Sequence, residues 1–170
     1  LVMQHPVTTE FGKGEEQIAM TLKAIEVLQL PAIMLWPNVD AGSEDVSRGM
    51  RKFRENSRPE QIRFYKNFAV ETFIRLMKRA ACLVGNSSSF VREAAFLGTP
   101  AVNVGSRQNG RDRGTNIVDV SHSTDAIVEA VRGQLDHGPY SPDHLYGDGQ
   151  AGPRIVEILS KAHIKLQKRI

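Results

Sequence analysis

The residues best suited to chemistry form a short polar run, Gly-Asn-Ser-Ser-Ser at positions 85–89, which we call the serine turn. It follows an apolar segment typical of a buried strand and precedes a segment of helical periodicity. Gly85 permits a tight turn, and small hydroxyl side chains let an anion approach the first N–H groups of the helix. Helix capping by Ser88 or Ser89 explains the same residues equally well. The turn alone therefore predicts either a phosphate-type anion site or a capped helix.

Polar side chains also follow the other short apolar runs along the chain. His5 follows the first run, Asn38 and Asp40 follow the second, and Arg107 and Arg111 follow the fifth. If these runs are parallel strands, their carboxyl ends meet at one edge, where open α/β sheets bind ligands. The coincidence of polar residues at that edge favours a site over scattered surface positions.

The chemistry of these side chains suits a phosphorylated ligand. Arg107 and Arg111 could neutralise a diphosphate through forked hydrogen bonds, although a solvated loop also explains them. His5 could position or protonate a departing phosphate near neutral pH. Asn38 could hold a sugar or phosphate oxygen, but it equally suits a turn. Asp40 is better explained by turn formation or by capping of the next helix.

Glu93 lies one turn into the helix that follows the serine turn. A carboxylate at that distance from a phosphate could accept hydrogen bonds from paired ribose hydroxyls. A favourable charge near the helix N-terminus, or a local pair with Arg92, is the structural alternative. We favour ribose binding by Glu93 because of its place beside the serine turn.

The elements that must position these residues alternate between short β-forming runs and helical segments, which predicts an α/β fold with a parallel sheet of about six strands. We expect a Rossmann-like three-layer domain that spans residues 1–170 without a linker. The predicted strands are 1–4, 32–36, 62–65, 82–84, 101–104 and 117–120. The predicted helices are 15–28, 44–54, 70–79, 89–97, 124–135 and 153–168.

Composition excludes several classes of protein. The formal net charge is only +3 and the basic residues are mostly scattered, so no nucleic-acid partner is expected. Cys82 is the single cysteine, which predicts a buried structural thiol in a reducing cytoplasm rather than a disulfide or metal cluster. No apolar run is long enough to span a membrane, so no membrane partner is expected. The serine turn lacks GxGxxG and P-loop spacings, and we predict neither a metal nor a cofactor.

Several motifs in fixed order resemble those of one family, the UDP-N-acetylglucosamine 2-epimerases. They cover nearly the whole chain and are Gln-His-Pro-Val-Thr-Thr at 4–9, Trp-Pro-Asn-Val-Asp-Ala-Gly-Ser at 36–43, Gly-Asn-Ser-Ser at 85–88 with Arg-Glu at 92–93, Gly-Ser-Arg-Gln-Asn-Gly-Arg at 105–111, and Tyr-Gly-Asp-Gly at 146–149. The resemblance implies a two-lobed fold like that of GT-B glycosyltransferases. Residues 1–170 would form the UDP-binding C-terminal lobe, and the N-terminal lobe would be absent from this chain.

The resemblance also implies roles in nucleotide binding. Ser87 and Ser88 would hold the diphosphate of a UDP-sugar, Glu93 the ribose hydroxyls, and Phe68 the uracil, largely through its backbone. The Tyr-Gly-Asp-Gly motif at 146–149 is assigned to a packed turn under the last helix.

The sugar and phosphate end of the substrate would meet four further residues. Arg107 would lie near the phosphates, Arg111 is a weaker correspondence in the same loop, and Asn38 would face the nucleotide sugar as a binding residue. His5 would face it as the catalytic residue of this lobe.

The form of the motifs resembles the hydrolysing branch of the family, which implies sialic-acid-type pathways and release of UDP with N-acetylmannosamine or a related sugar. Because the catalytic carboxylates would belong to the other lobe, we expect this chain alone to be inactive. Its expected partners are a UDP-sugar and the N-terminal lobe, and homo-oligomerisation is left open. Two alternatives remain: a UDP-sugar-binding or regulatory module without turnover, and a lobe of a GT-B glycosyltransferase.

Overall fold

The computed structural model describes residues 1–162, and within them six strands form one sheet whose neighbouring strands all pair in parallel. The spatial order is β3-β2-β1-β4-β5-β6. The strands are β1 Val2–Met3, β2 Ala32–Leu35, β3 Ile62–Tyr65, β4 Leu83–Gly85, β5 Ala101–Val104 and β6 Ile117–Val120.

Helices connect the strands and cover both faces of the sheet, which gives three layers. A short 3₁₀ turn at Thr8–Glu10 follows β1. The α-helices of the described residues are α1 Gly14–Leu28, α2 Ser43–Ser57, α3 Val70–Arg79, α4 Ser88–Val91, α5 Glu93–Leu97, α6 Thr124–His137 and α7 Ala151–Lys161.

Alternating strand side chains build a core on each face of the sheet, because successive residues of a strand point to opposite sides. Val2 of β1 packs in the cluster formed with α1, α2 and α6. Met3, the next residue, packs in the cluster formed with α3, α4 and α5. Phe90 of α4 is completely buried in that second cluster and fixes α4 against the sheet.

The strand order places a topological switch point at the centre of the sheet. From β1 the chain proceeds outward to β2 and β3, whereas from β4 it proceeds outward on the other side to β5 and β6. The loops after β1 and β4 therefore turn away from each other and leave a crevice at the carboxyl edge, where such sheets bind ligands. His5 and the serine turn lie at this crevice.

The predicted fold class is confirmed, and each predicted strand is present with bounds within two residues. The predicted helix over 89–97 is wrong in detail: it begins at Ser88 and is interrupted at Arg92, where φ is −91° and ψ is −65°. The last helix begins at Ala151 rather than Pro153, which still lies in the first turn, where its missing N–H costs nothing. It ends at Lys161, and the rest of the predicted span, 163–168, lies outside the described residues.

Cys82 is buried, as predicted, and burial raises the pKa of its thiol to about 11. In residues 1–162 no group of three His, Cys, Asp or Glu side chains is arranged to hold a metal ion. No helix in the same part of the chain is long and apolar enough to cross a membrane.

Candidate active site at the carboxyl edge of the sheet

An open cleft of about 670 Å³ lies at the carboxyl edge of the sheet, above the switch point. Its walls come from the loops after β1, β2 and β5 and from the start of α4. We call it the edge cleft. Its polar lining includes Thr8, Asp40, Ser88, Arg107 and Arg111. Three of the predicted site residues, Ser88, Arg107 and Arg111, are thus brought together, although Arg107 and Arg111 lie about 20 positions from Ser88.

The hydroxyl groups of Ser87 and Ser88 have different surroundings: the first caps α4 and the second lines the edge cleft. Ser87 is the N-cap of α4, with φ −69° and ψ 141°, and its Oγ accepts a hydrogen bond from the Ser89 N–H at 3.3 Å. The cap is therefore Ser87, not Ser88 or Ser89 as the sequence suggested. Ser87 is buried, whereas Ser88 lines the edge cleft, so Ser88 supplies the hydroxyl group that a bound anion would meet. Capping by Ser87 therefore leaves the Ser88 hydroxyl group available at the cleft.

The helix behind the serine turn is short. Because α4 has four residues and breaks at Arg92, few peptide dipoles add up along it, and a long helix dipole cannot carry anion binding. The positive charge beside the serine turn comes instead from Arg107 and Arg111, which line the same cleft.

Asn86 connects the serine turn to both neighbouring loops. Its side chain is fully buried and bonds to both backbone groups of His5: Oδ1 accepts from the His5 N–H at 2.7 Å, and Nδ2 donates to the His5 carbonyl oxygen at 2.9 Å. The Asn86 carbonyl oxygen accepts from Arg107 Nη1 at 3.2 Å and from Gln108 Nε2 at 2.7 Å. A single residue thus fixes the end of β1 and the loop after β5.

Sequence reasoning missed this role of Asn86. The signal was a polar residue between the end of a buried strand and the serines, because a buried amide side chain must find partners.

His5 is buried, with 3% of its surface exposed, and its Nδ1 accepts a hydrogen bond from the Asn38 N–H at 3.1 Å. This contact places the proton of the neutral ring on Nε2. Burial is the largest cause that lowers the pKa of His5 from 6.5 to about 4; the Arg107 guanidinium acts in the same direction, and Asp40 opposes the change. The ring is therefore neutral at pH 7. It can position a phosphate by donating a hydrogen bond through Nε2, but at pH 7 it lacks the extra proton that acid catalysis by this residue would require.

The low pKa of His5 predicts a pH-dependent stability. The unfolded state binds the proton below about pH 6.5 and the folded state only near pH 4, so the stabilisation is complete above pH 6.5 and falls as the pH decreases. Between pH 7 and 4.5 the loss should be roughly 2–3 kcal/mol. Urea unfolding at several pH values, for the wild type and for His5→Asn, measures this loss of stability. The Asn Oδ1 can replace His5 Nδ1 as the acceptor.

We expect the unfolding free energy of His5→Asn to fall less steeply with decreasing pH than that of the wild type. His122, whose pKa burial also lowers, is present in both proteins, so the difference between the two profiles reports His5. Parallel profiles would contradict the assignment.

Arg107 lies between two acceptors at the edge cleft. Nη1 donates to the Asn86 carbonyl oxygen, and Nη2 lies 3.6 Å from Asp40 Oδ2. Two roles were predicted for Asp40, in the turn or as the cap of α2. The cap is wrong, because Gly42 is the N-cap of α2 and forms no side-chain cap hydrogen bond within residues 1–162. Asp40 does take part in the turn, through its carbonyl oxygen, which accepts from the Ser43 N–H at 3.0 Å. Arg111 is exposed and lines the same cleft.

Two anchors hold residues 105–115, which we call the arginine loop. Arg113 forms a fork with the Asp119 carboxylate of β6, its Nη2 donates to the Gln108 carbonyl oxygen at 3.0 Å, and its Nη1 donates to the Arg111 carbonyl oxygen at 2.6 Å. At the other end of the loop the Ser106 hydroxyl donates to Glu10, which follows β1. The arginine loop is thus tied to β6 at one end and to the segment after β1 at the other.

The remaining predicted residues do not line the edge cleft. Asn38 is exposed, and its backbone N–H, not its side chain, makes the contact with His5. Phe68 packs against Tyr65 with ring centroids 4.9 Å apart. Glu93 lines a separate, smaller cavity of about 300 Å³ together with Tyr146.

Tyr146 connects the Tyr-Gly-Asp-Gly segment to the arginine loop, but all four residues of the segment are exposed, so the predicted packed turn under the last helix is wrong. Its hydroxyl group donates to the Asp112 carbonyl oxygen at 2.7 Å, and the Arg92 guanidinium lies 5.9 Å from its ring centroid. Asp148 pairs with Arg154 of α7 at 2.7 Å. The turn also forms one wall of the cavity that Glu93 lines.

The fold and site together define a Rossmann-like α/β domain whose switch point lies beneath a cleft lined by arginine and serine side chains. The family model described as UDP-N-acetylglucosamine 2-epimerase matches residues 1–160. This chain belongs to that family, as its motifs predicted.

Individual relatives agree with the family assignment. The chain is 30% identical over 173 residues to the UDP-N-acetylglucosamine 2-epimerase of Neisseria meningitidis serogroup B, covering 98% of this chain and 45% of that protein. It is 31% identical over 159 residues to the UDP-N,N'-diacetylbacillosamine 2-epimerase (hydrolyzing) of Legionella pneumophila, covering 94% and 41%. The chain therefore spans less than half the length of these relatives.

The fold also matches a solved structure, that of Methanocaldococcus jannaschii UDP-GlcNAc 2-epimerase in complex with UDP-GlcNAc and UDP. The TM-score is 0.70 at 18% identity, with 95% of this chain and 44% of that chain covered. At this level of identity the likeness supports the fold.

Proposed function

We propose that residues 1–170 are the UDP-binding, C-terminal lobe of a hydrolysing UDP-N-acetylglucosamine 2-epimerase. The observation that carries the proposal is the meeting of Ser88, Arg107 and Arg111 in one cleft above the switch point. Two guanidinium groups and the N–H groups of a helix start form a suitable environment for a diphosphate, because both provide fixed donors to its oxygens.

The nucleoside would extend from the edge cleft along α4 and α5. Glu93 begins α5, so its carboxylate would lie past the diphosphate and could accept hydrogen bonds from the ribose hydroxyls. The uracil would continue toward Phe68. The Phe68 N–H already donates to Asn67 Oδ1 at 2.8 Å, so the base would meet the Phe68 carbonyl oxygen.

In the reaction of the hydrolysing branch, a base removes the C2 proton of the sugar while the C1–O bond breaks and its electron pair goes to the phosphate oxygen. UDP and a glycal result. Water then adds across the double bond, with its hydroxyl group at C1 and a proton at C2, and gives N-acetylmannosamine or a related sugar. These steps need a base and acids on both faces of the ring.

The role of this lobe would be to bind and stabilise the leaving group, UDP. Arg107 and Arg111 would stabilise the charge that develops on the departing phosphate, and the neutral His5 would donate a hydrogen bond to it through Nε2. Asn38 would face the sugar at the mouth of the cleft. Because the resemblance assigns the catalytic carboxylates to the other lobe, we propose that this chain alone does not turn over substrate.

Two observations favour the hydrolysing branch. The Legionella relative is named as a hydrolysing enzyme, and the serine turn has the Gly-Asn-Ser-Ser form that resembles this branch. A role in sialic-acid-type pathways in the cytoplasm stays a prediction. Acceptor-dependent glycosyl transfer and binding without any turnover by the whole protein are the competing functions.

Calorimetric titration of the chain with UDP tests the proposal. Loss of a hydroxyl group that donates to a charged phosphate should weaken binding roughly tenfold or more, so Ser88→Ala should raise the Kd for UDP by that factor. The double change Ser87→Ala with Ser88→Ala should weaken it further, because the cap that orders the turn is lost as well. Ser123→Ala removes the N-cap of α6 and is the matched control.

We expect the Ser123→Ala protein to lose stability but keep its affinity for UDP. Wild-type affinity in the double variant would remove the basis of the proposal. Sustained release of UDP from UDP-N-acetylglucosamine by the chain alone would contradict its proposed dependence on another lobe.

A further inference from the structure

We infer that Asp40 is a specificity-determining residue that weakens the hold of the edge cleft on a nucleoside diphosphate relative to its glycosyl ester. The carboxylate would thereby help UDP to leave once the sugar has been cleaved from it. The inference rests on the proposed function of the edge cleft, and it assigns this cleft a means of distinguishing product from substrate.

The first observation is the place of the carboxylate. Asp40 lines the edge cleft beside Ser88, Arg107 and Arg111, so a negative charge lies in the cleft that is proposed to bind an anion. Its Oδ2 is 3.6 Å from Arg107 Nη2, and both side chains are partly exposed, 39% for Asp40 and 27% for Arg107. Asp40 therefore competes with a bound phosphate for the same guanidinium group.

The second observation is that the local fold does not use this carboxylate. The turn before α2 is closed by backbone groups, since the Ser43 N–H donates to the Asp40 carbonyl oxygen at 3.0 Å. Gly42, not Asp40, is the N-cap of α2. An uncharged side chain at position 40 would leave the turn intact.

The ionisable groups near Asp40 lie on the loop after β1, the loop after β5 and α2. His5 follows β1, and Arg107 and Arg111 follow β5; these groups face the edge cleft or the residues beneath it. The nearby acidic residues of α2 are engaged on the helix itself, Glu44 with Arg51 at 2.5 Å and Asp45 with Arg48 at 3.2 Å. Asp40 is the acidic residue that lines the edge cleft.

Cleavage of the sugar changes the charge of the terminal phosphate, and the Asp40 carboxylate interacts differently with the two charges. When the C1–O bond breaks, the oxygen stays on the terminal phosphate, which changes from a diester-like group with one ionisable oxygen to a terminal group with two. The second ionisation of such a phosphate has a pKa near about 6. At pH 7.5 the product therefore carries one more negative charge than the ester, and a neighbouring carboxylate repels that charge.

Asp40 also orients Arg107, and the two roles have separable consequences. Loss of orientation weakens binding of the ester and of the nucleoside diphosphate alike. Loss of repulsion strengthens binding of the nucleoside diphosphate more than binding of the ester, because the diphosphate carries the extra negative charge. The ratio of the two dissociation constants therefore isolates the discrimination from the positioning.

The experiment measures the Kd of UDP and of UDP-N-acetylglucosamine for the wild-type chain and for Asp40→Asn, at pH 7.5 and pH 5.0. Chromatography after each titration verifies that the sugar ester is intact. We expect Asp40→Asn to shift the ratio of the two Kd values about tenfold in favour of UDP at pH 7.5. The shift should shrink to about twofold or less at pH 5.0, where the terminal phosphate is mostly singly ionised. His5 remains mostly neutral at both values because its pKa is about 4.

Two further variants complete the design. Asp40→Glu retains the charge and should keep a ratio close to that of the wild type. Asp45→Asn removes a carboxylate of α2 that does not line the cleft, and it should leave the ratio unchanged. Circular dichroism verifies that each variant is folded.

An Asp40→Asn protein whose Kd ratio equals that of the wild type at pH 7.5, or shifts equally at both pH values, would overturn the inference. That result requires a wild type that binds both ligands, so it leaves the proposed function standing. A wild-type chain that binds neither ligand would instead contradict the proposed function, and the inference with it.

Discussion

Replacing Gly85 with alanine should destabilise the protein by more than about 3 kcal/mol or prevent folding altogether. Gly85 has a φ of +133°, a region that residues with a side chain rarely adopt. A Cβ atom there would lie far inside van der Waals contact with the Met3 carbonyl oxygen of the adjacent strand. That oxygen cannot move away freely, because it accepts a hydrogen bond from the Asn86 N–H at 3.2 Å. Urea unfolding followed by circular dichroism measures the loss.

Gly133 supplies a matched control with the opposite expected sign. It lies inside α6, and a Cβ atom there would meet nothing within 4 Å. Gly133→Ala should therefore stabilise the protein by about 0.5–1 kcal/mol, the usual gain in a helix interior. A Gly85→Ala protein as stable as Gly133→Ala would show that β1 and β4 do not approach each other as described.

Replacing Asn86 with alanine should cost about 2–4 kcal/mol of stability and weaken the proposed binding of UDP more than tenfold. The change leaves the N–H and the carbonyl oxygen of His5 buried without the partners that they have in the wild type. Both ends of the site would then loosen, because β1 is no longer fixed beside the serine turn. Urea unfolding and a calorimetric titration with UDP measure the two effects.

Asn56→Ala is the control for the loss of an asparagine side chain, since Asn56 is exposed on α2 far from the edge cleft. Asn56→Ala should change the free energy of unfolding by less than about 0.5 kcal/mol and leave the affinity for UDP unchanged. Asn86→Asp keeps an acceptor for the His5 N–H but places a carboxylate oxygen against the His5 carbonyl oxygen, so it should also bind UDP poorly. Wild-type UDP affinity in Asn86→Ala would contradict the connecting role of Asn86.

The alternation of β-forming runs and helical segments was sufficient to predict the fold. The predicted strand over 62–65 has the bounds of β3, and the predicted helix over 70–79 has those of α3. The sequence also placed Arg107 and Arg111 at the carboxyl edge of the sheet. This inference was possible because the carboxyl ends of parallel strands lie at the same edge whatever the order of the strands. These inferences rest on periodicity and on a general property of parallel sheets.

The strand order itself was not available from periodicity, and the role of Asn86 depends on it. The side chain of Asn86 bonds to a residue 81 positions away, which is adjacent only because β1 and β4 pair. The low pKa of His5 was missed for a related reason, since its burial is a property of the assembled sheet.

Small energy differences explain the errors of local detail. A serine cap at position 87 differs from the predicted cap at 88 or 89 by a fraction of the roughly 1 kcal/mol that a cap contributes, so the pattern did not identify the right serine. Asp40 was assigned to the turn or to a cap because aspartate favours both positions, whereas in the structure its carboxylate lies 3.6 Å from Arg107 Nη2.

The pairing of β1 with β4 has a kinetic consequence. The neighbouring β1 and β2 are joined by one helix, but β1 and β4 are separated by about 80 residues, and closing so long a loop is entropically costly and slow. The contact between His5 and Asn86 forms only when these central strands dock. A refolding chain should thus acquire native helices and local βα units before it acquires any affinity for a nucleotide, and the return of binding would mark the completion of the sheet.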